Sequence, residues 1–271
     1  MSNSLSMMRA TLRTQDVLRL AKLRRLPLFD ADLGYFVHCA LGELFGEEAP
    51  SPFRFEERDE TVIVLGYTDR DASALALAAS ERSRLEGAPA ILASLVEHAQ
   101  IATRALPATW RSGARYSYAV RACPVVRNHG GARTGQRTRE EDIFVSACRA
   151  QNDRDGVAPT DGAQSHWKTA VDRAAVYADW LRGQVARHGG NTTIESVSMT
   201  SFMLDRLIRR GSPEDSARPS TRKAAHSTRP NAVLEGTLTV GDPDAFARLL
   251  ARGIGRHRAF GFGMLLLKPA R

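Results

Sequence analysis

Cysteine is scarce in this chain. Cys39, Cys123 and Cys148 are the only three, they lie far apart and they form no CxxC pair, which argues against a disulfide framework and against a structural zinc site. Long apolar runs are missing as well: nothing approaches the ~18 consecutive apolar residues a membrane-spanning helix needs. The opening Met1-Ser2-Asn3-Ser4-Leu5 lacks the charged and apolar blocks of a secretory leader. A soluble, cytoplasmic protein without a membrane partner is the expectation. There is no HExxH, no GxxxxGK[ST] phosphate loop, no GxSxG and no clear cluster of aspartates for a two-metal centre. Metal-dependent and nucleotide-driven chemistry lose ground accordingly, and no metal or cofactor is expected. Lysine is the last scarcity. Of 38 basic residues only Lys22, Lys168, Lys223 and Lys268 are lysine, leaving 34 arginines.

What is present is otherwise ordinary for a globular chain: 43% hydrophobic and 25% charged residues over 271 positions. That length allows one large domain or two of roughly 100–150 residues. The formal net charge is +8. Arginine presents a planar fork of donors suited to phosphate, so the balance favours a nucleic-acid partner. A codon bias that exchanges lysine for arginine everywhere would give the same totals, and placement along the chain has to separate the two.

Apolar periodicity supplies the elements. Leu5 to Leu12 alternates as a first strand, followed by a Leu- and Arg-rich connection. Between Asp30 and Phe45, Leu33, Val37, Ala40, Leu41 and Leu44 recur at helical spacing, with Asp30 or Asp32 as cap and Gly46 as stop. Residues 52–57 and 61–67 read as a hairpin around Arg58-Asp59-Glu60. Helices over 72–84 and 90–99 and an edge strand within 101–110 complete a first unit. In the second, 116–127 alternates as a strand, 129–164 reads mostly as loop, and 166–188 reads as a long amphipathic helix closed by Gly189-Gly190. Strands at 194–208 and 232–240 flank an arginine-rich connection. Asp242-Pro243 starts a short helix to Leu250, and 262–268 is the last strand. Each half is therefore approximately βαββαβ. The expected class is α+β, two tandem ferredoxin-like (RRM-like) domains, at 1–110 and 111–271.

Three segments carry chemistry. Gly253, Gly255, Gly261 and Gly263 punctuate a loop with Arg252, Arg256, His257 and Arg258, where glycine lets backbone amides approach a phosphate and arginine adds charge. A tight helix-to-strand turn on a basic surface is the plainer alternative. Tyr35 and His38 are three apart on the first strong helix, so a phenol and an imidazole can address one point. Imidazole moves protons near neutrality without a metal, as RNA cleavage by the neighbouring 2′-hydroxyl requires. A single histidine beside an apolar face is, however, more often structural. Finally, the run 206–229 holds Arg206, Arg209, Arg210, Arg222 and Lys223 in an arginine-bearing hairpin or loop able to lie along a phosphate backbone, although charge runs are more often solvated surface or linker.

Assembled in order, these residues resemble the CasE-type CRISPR repeat endoribonucleases of type I-E systems. The likeness runs through Tyr35-Phe36-Val37-His38, Pro52-Phe53-Arg54-Phe55, Arg121-Ala122-Cys123-Pro124-Val125-Val126-Arg127 and Tyr177-Ala178-Asp179-Trp180-Leu181. It continues through Phe202, the block Gly236 to Pro243, and the block Gly253 to Gly263, which is the most specific. The resemblance implies two ferredoxin-like domains and metal-independent cleavage of precursor CRISPR RNA at the base of a repeat stem-loop. It further implies a 2′,3′-cyclic phosphate product, retained by the protein with the other Cascade subunits. His38 and Tyr35 match the family's catalytic pair, and the arginines after Phe202 match its stem-loop contacts. The rival expectation is a non-catalytic subunit that only holds the hairpin.

Overall fold

In a computed structural model, which describes residues 5–28, 33–128, 139–155, 171–209 and 225–270, the chain builds two four-stranded antiparallel sheets. The first half runs β1 (Ser6–Arg13), α1 (Thr14–Leu23), α2 (Leu33–Phe45), β2 (Phe53–Arg58), β3 (Thr61–Thr68), α3 (Ala72–Ser83), α4 (Ala90–His98) and β4 (Gln100–Ala105). Its strands lie in the order β2-β3-β1-β4. The second half runs β5 (Arg115–Ala122), β6 (Val125–Asn128), β7 (Arg139–Asp142), α5 (Ile143–Arg154), α6 (Arg173–His188), β8 (Thr193–Arg209), β9 (Ala225–Thr239), α7 (Pro243–Arg252) and β10 (Leu265–Pro269). Its main sheet is ordered β10-β5-β9-β8, with β6 and β7 paired separately. If β5, β8, β9 and β10 are taken as strands one to four, the two sheets share one permutation. That is the split βαβ arrangement expected from the element order.

Period-two alternation decides how the halves meet. Along β1, Met8, Ala10 and Leu12 are fully buried and, with Val62 and Val64 of β3, face helices α1 to α4. The intervening Met7, with Leu65 and Tyr67, faces the other way and joins the core of the second half, beside Val120, Leu234 and Trp180. Tyr67 Oη donates to the Leu265 carbonyl at 2.5 Å, tying β3 to β10. With both faces of β1 and β3 covered, the first sheet is anchored against the second half rather than tethered to it.

Three segments differ from the sequence reading. Residues 14–23, expected as a connection, are helix α1, whose narrow stripe of Val17, Leu20 and Ala21 suffices because it packs on an already apolar sheet. The strand expected over 116–127 breaks into β5 and β6, since Pro124 has no N–H to continue a ladder. Within the expected loop 129–164 lie β7 and α5. Helix α5 fully buries only Cys148, so it carries almost no apolar signal; Asp142 caps it by accepting from Phe144 N at 2.9 Å. Trp167 and the expected caps Asp30 and Asp32 lie outside the described residues.

The β8–β9 hairpin is longer than its sheet. The two strands pair from Thr193–Thr239 to Arg209–Ala225, whereas β5 covers only Ala232 to Thr239 of β9. Residues 203–209 and 225–231 thus form a two-stranded arm beyond the sheet, made partly of the arginine-rich stretch expected as a hairpin or loop. Among the described residues, no helix is long and apolar enough to cross a membrane.

Candidate active site and nucleic-acid interface

Helix α2 carries Tyr35 and His38 to the seam between the two halves. Phe36, Val37, Ala40, Leu41 and Leu44 are buried in the first core, which leaves Tyr35 and His38 on the flank turned toward the glycine-rich loop. Tyr35 stacks on Phe260 of that loop at 5.3 Å between ring centroids and lies 6.0 Å from His38. His38 in turn lies parallel to Phe53, at 6.5 Å. The two residues line a cleft of about 830 Å³ whose other wall is Arg252, Arg256, His257 and Arg258. Desolvation by the packed cleft wall pushes the His38 imidazole below its usual pKa, while its exposed edge leaves it open to accept a proton near neutral pH.

The glycine-rich loop is held from three sides. Arg121 of β5 donates through Nη1 to the Phe260 carbonyl at 3.0 Å and through Nη2 to Asp205 at 2.8 Å, while its guanidinium covers Phe262 at 4.3 Å and Phe55 at 4.9 Å. Glu140 of β7 takes a bond from Arg256 Nε at 2.8 Å, pairs with His257 Nε2 at 2.8 Å and lies 3.6 Å from Arg229. Burial works against the Glu140 charge, but His257, Arg256 and Arg229 together hold its pKa below the usual range. For His257 the order reverses: burial lowers its pKa and Glu140 only partly offsets that. Neither Arg121 nor Glu140 stood out in the sequence as a site residue. Glu140 sat in what read as loop, and Arg121 in an ordinary strand; a carboxylate across from two arginines and a histidine is visible only after folding.

The glycines of the loop are there for close approach. Gly263 has φ +86, and a Cβ on it would sit 2.2 Å from the Ile254 carbonyl oxygen; Gly261 has φ +79, with a Cβ site 2.9 Å from Phe55. The amides of Gly253, Gly261 and Gly263 donate to the carbonyls of Leu249, Arg258 and Arg121. All three residues are buried, so this part of the expected phosphate cradle is turned to the protein's own backbone. Gly255 is half-buried at the cleft.

The basic residues divide by position. Arg252 and Arg258 are exposed, Arg252 bonded to His188 at 2.9 Å and Arg258 donating to the Arg252 carbonyl. Arg206 is exposed on the β8–β9 arm, paired in register with Thr228, and Arg209 lies at the arm's end opposite Ala225. Arg210, Arg222 and Lys223 lie outside the described residues. Leu207 and Ser227 bring the arm to the same cleft as Tyr35 and His38, beside Glu140 of β7. Among the described residues, no group of three or more His, Cys, Asp or Glu side chains could hold a metal ion.

A family model described as "CRISPR associated protein" matches residues 10–269. The chain belongs to this family. The family expectation drawn from the sequence is thus borne out. Solved structures share the fold over nearly the whole length. Cse3 of Thermus thermophilus, bound to an RNA representing a pre-cleavage complex, is similar with a TM-score of 0.56 and 14% identity, covering 98% of this chain and 100% of that one. Cas6e of Escherichia coli K-12 gives 0.53 and 14%, covering 98% and 100%. A chain of a CRISPR RNA-guided surveillance complex gives 0.51 and 16%, covering 97% and 100%. At such identities the likeness is one of fold. No curated protein matches the sequence.

Proposed function

We propose that this CRISPR-associated protein is a CasE-type endoribonuclease, which binds the stem-loop of a CRISPR repeat, cuts precursor RNA at the stem base and keeps the product within Cascade. The observation that carries the reading is the meeting of Tyr35 and His38 with the arginine-bearing loop in one cleft at the seam of the two halves. The reaction is attack of the 2′-hydroxyl on its own phosphodiester. The O2′–P bond forms, the P–O5′ bond breaks, and the products are a 2′,3′-cyclic phosphate and a 5′-hydroxyl. His38 transfers a proton at the reacting oxygens, and Tyr35, fixed by its stack on Phe260, orients the phosphate. Arg252, Arg256 and Arg258 with Gly255 balance charge on the phosphate, and Arg206 with the β8–β9 arm follows the stem backbone. Positioning alone removes much of the barrier to an intramolecular attack. The RNA-bound and surveillance-complex relatives support RNA and Cascade as partners, and the change from one sheet to the other between β4 and β5 supports a domain boundary near 110.

The test is His38→Ala. Loss of a general acid–base group costs about 10²–10⁴ in rate, while affinity for the repeat hairpin stays within a few-fold. Wild type in EDTA should cut a ribose substrate and leave one with a single 2′-deoxy substitution at the cleavage site intact. Full cleavage by His38→Ala, or cutting of the 2′-deoxy substrate, refutes the assignment; a hairpin bound but never cut by wild type supports a binding subunit instead.

A further inference from the structure

A second cleft, of about 720 Å³, adjoins the first and shares Arg252, Gly255 and Arg256 with it. It lies between β6, α5 and α6, and none of its lining residues belongs to the β8–β9 arm. Its floor is apolar, built from Ile143, Val176 and Trp180, and its rim carries Arg127 and Arg187 beside Arg252. Among the described residues, Arg127, Arg187 and Arg252 make no ion pair with a carboxylate. The one acid on the rim, Asp179, turns out to solvent and is bonded to Arg182 at 2.8 Å. Positive potential is concentrated enough here that Arg252 and Arg187 add to burial in lowering the pKa of His188. An apolar floor under a rim of guanidiniums matches a nucleotide, whose base needs a flat dry surface and whose phosphate needs donors with positive charge.

We propose that this cleft holds the single-stranded RNA on the 3′ side of the scissile phosphate, the segment that leaves after cleavage. The proposal rests on the endoribonuclease reading above. A strand passing the Tyr35–His38 cleft at the base of a stem continues in two directions. One continuation is the paired stem, which is too wide for a cleft of this volume and lies toward the basic arm. The other is unpaired, and the next concave, cationic surface joined to the reaction cleft is this one. Arg252 and Arg256 stand at the junction, where they face the phosphates on both sides of the cut.

The experiment is a cycle of protein and substrate. Repeat hairpins with a 2′-deoxy substitution at the cleavage site, ending at the scissile phosphate or extended by four unpaired 3′ nucleotides, are titrated against wild type and Arg127→Ala/Arg187→Ala. Neither residue belongs to the reaction cleft. Wild type should bind the extended hairpin about 10-fold more tightly than the trimmed one, and the double variant should lose most of that gain while binding the trimmed hairpin within two-fold of wild type. The salt slope for the extended RNA should fall by about 1.4 in the variant, at about 0.7 per single-strand phosphate released from contact. A flank that adds nothing to wild-type binding, or adds equally in both proteins, overturns the inference, including the case in which the cleft serves a protein partner. Failure of the underlying reading looks different: wild type would neither prefer the hairpin over a scrambled RNA nor cut its ribose form.

Discussion

Arg121→Met tests the pin that sets the glycine-rich loop. Arg121 and Asp205 are each 12% exposed and joined at 2.8 Å, and removing one partner from such a pair costs about 3–5 kcal/mol because a buried charge is left behind. Asn231 Nδ2 still donates to Asp205 at 2.7 Å, which places the loss at the low end, about 3 kcal/mol. At about 2–4 °C per kcal/mol for a chain of this size class, the melting temperature should fall by about 6–12 °C. Guanidinium unfolding followed by far-UV circular dichroism measures the loss directly. Arg121→Met/Asp205→Leu should recover stability relative to Arg121→Met, since an apolar pair replaces an orphaned carboxylate. The bond from Arg121 to the Phe260 carbonyl gives the variant a second phenotype: Phe260 no longer holds Tyr35 in register. Cleavage should slow on the order of 10- to 100-fold under conditions where the variant is folded. A stability loss below about 1 kcal/mol, or a double variant weaker than Arg121→Met, refutes the buried-pair account; full cleavage by the folded variant refutes the positioning account.

Acid stability reports the two cleft histidines. Burial, as the leading cause, lowers the pKa of both His38 and His257 below 6.5. Between their folded values and 6.5 the unfolded chain therefore binds more protons, and stability rises with pH through that window and levels off above it. Melts from pH 4.5 to 8 should show this rise, and His38→Ala/His257→Ala should flatten it; an unchanged slope would mean these rings are solvated. Gly263→Ala and Gly113→Ala form a matched pair. Both glycines have positive φ, but a Cβ on Gly113 meets nothing within 4 Å, whereas on Gly263 it meets a backbone oxygen at 2.2 Å. Gly113→Ala should cost about 1 kcal/mol by chemical denaturation and Gly263→Ala at least about 2 kcal/mol more; equal losses would show that the loop relaxes around the added methyl.

Some of this was legible without coordinates because it is written in local pattern. The alternation in β1 and β3, the helical spacing of α2 and the Asp242-Pro243 start of α7 fix their own elements, and their order names the fold. Tyr35 and His38 share a flank by helical geometry alone, and the arginines of the last loop are neighbours in sequence. Elements whose apolar signal is thin were misread for a matching reason: α1 and α5 are helical because of the surfaces they pack on.

What the amino-acid sequence determined by itself was therefore most of the core strands and helices, their tandem order and the chemical types gathered on α2 and in the glycine-rich loop. Tertiary structure alone decided which of those groups face one another. It set the loop glycines against Phe55 and Ile254, with three of their amides on protein carbonyls, and it brought Glu140 from β7 to Arg229, Arg256 and His257. It also joined a second arginine-rimmed cleft to the first. The reason is physical: hydrophobic periodicity reports which face of an element leaves water, whereas a charge pair, a shared cleft or a close backbone contact depends on the separation of residues far apart in the chain, as Arg121 and Phe260, 139 positions apart, are.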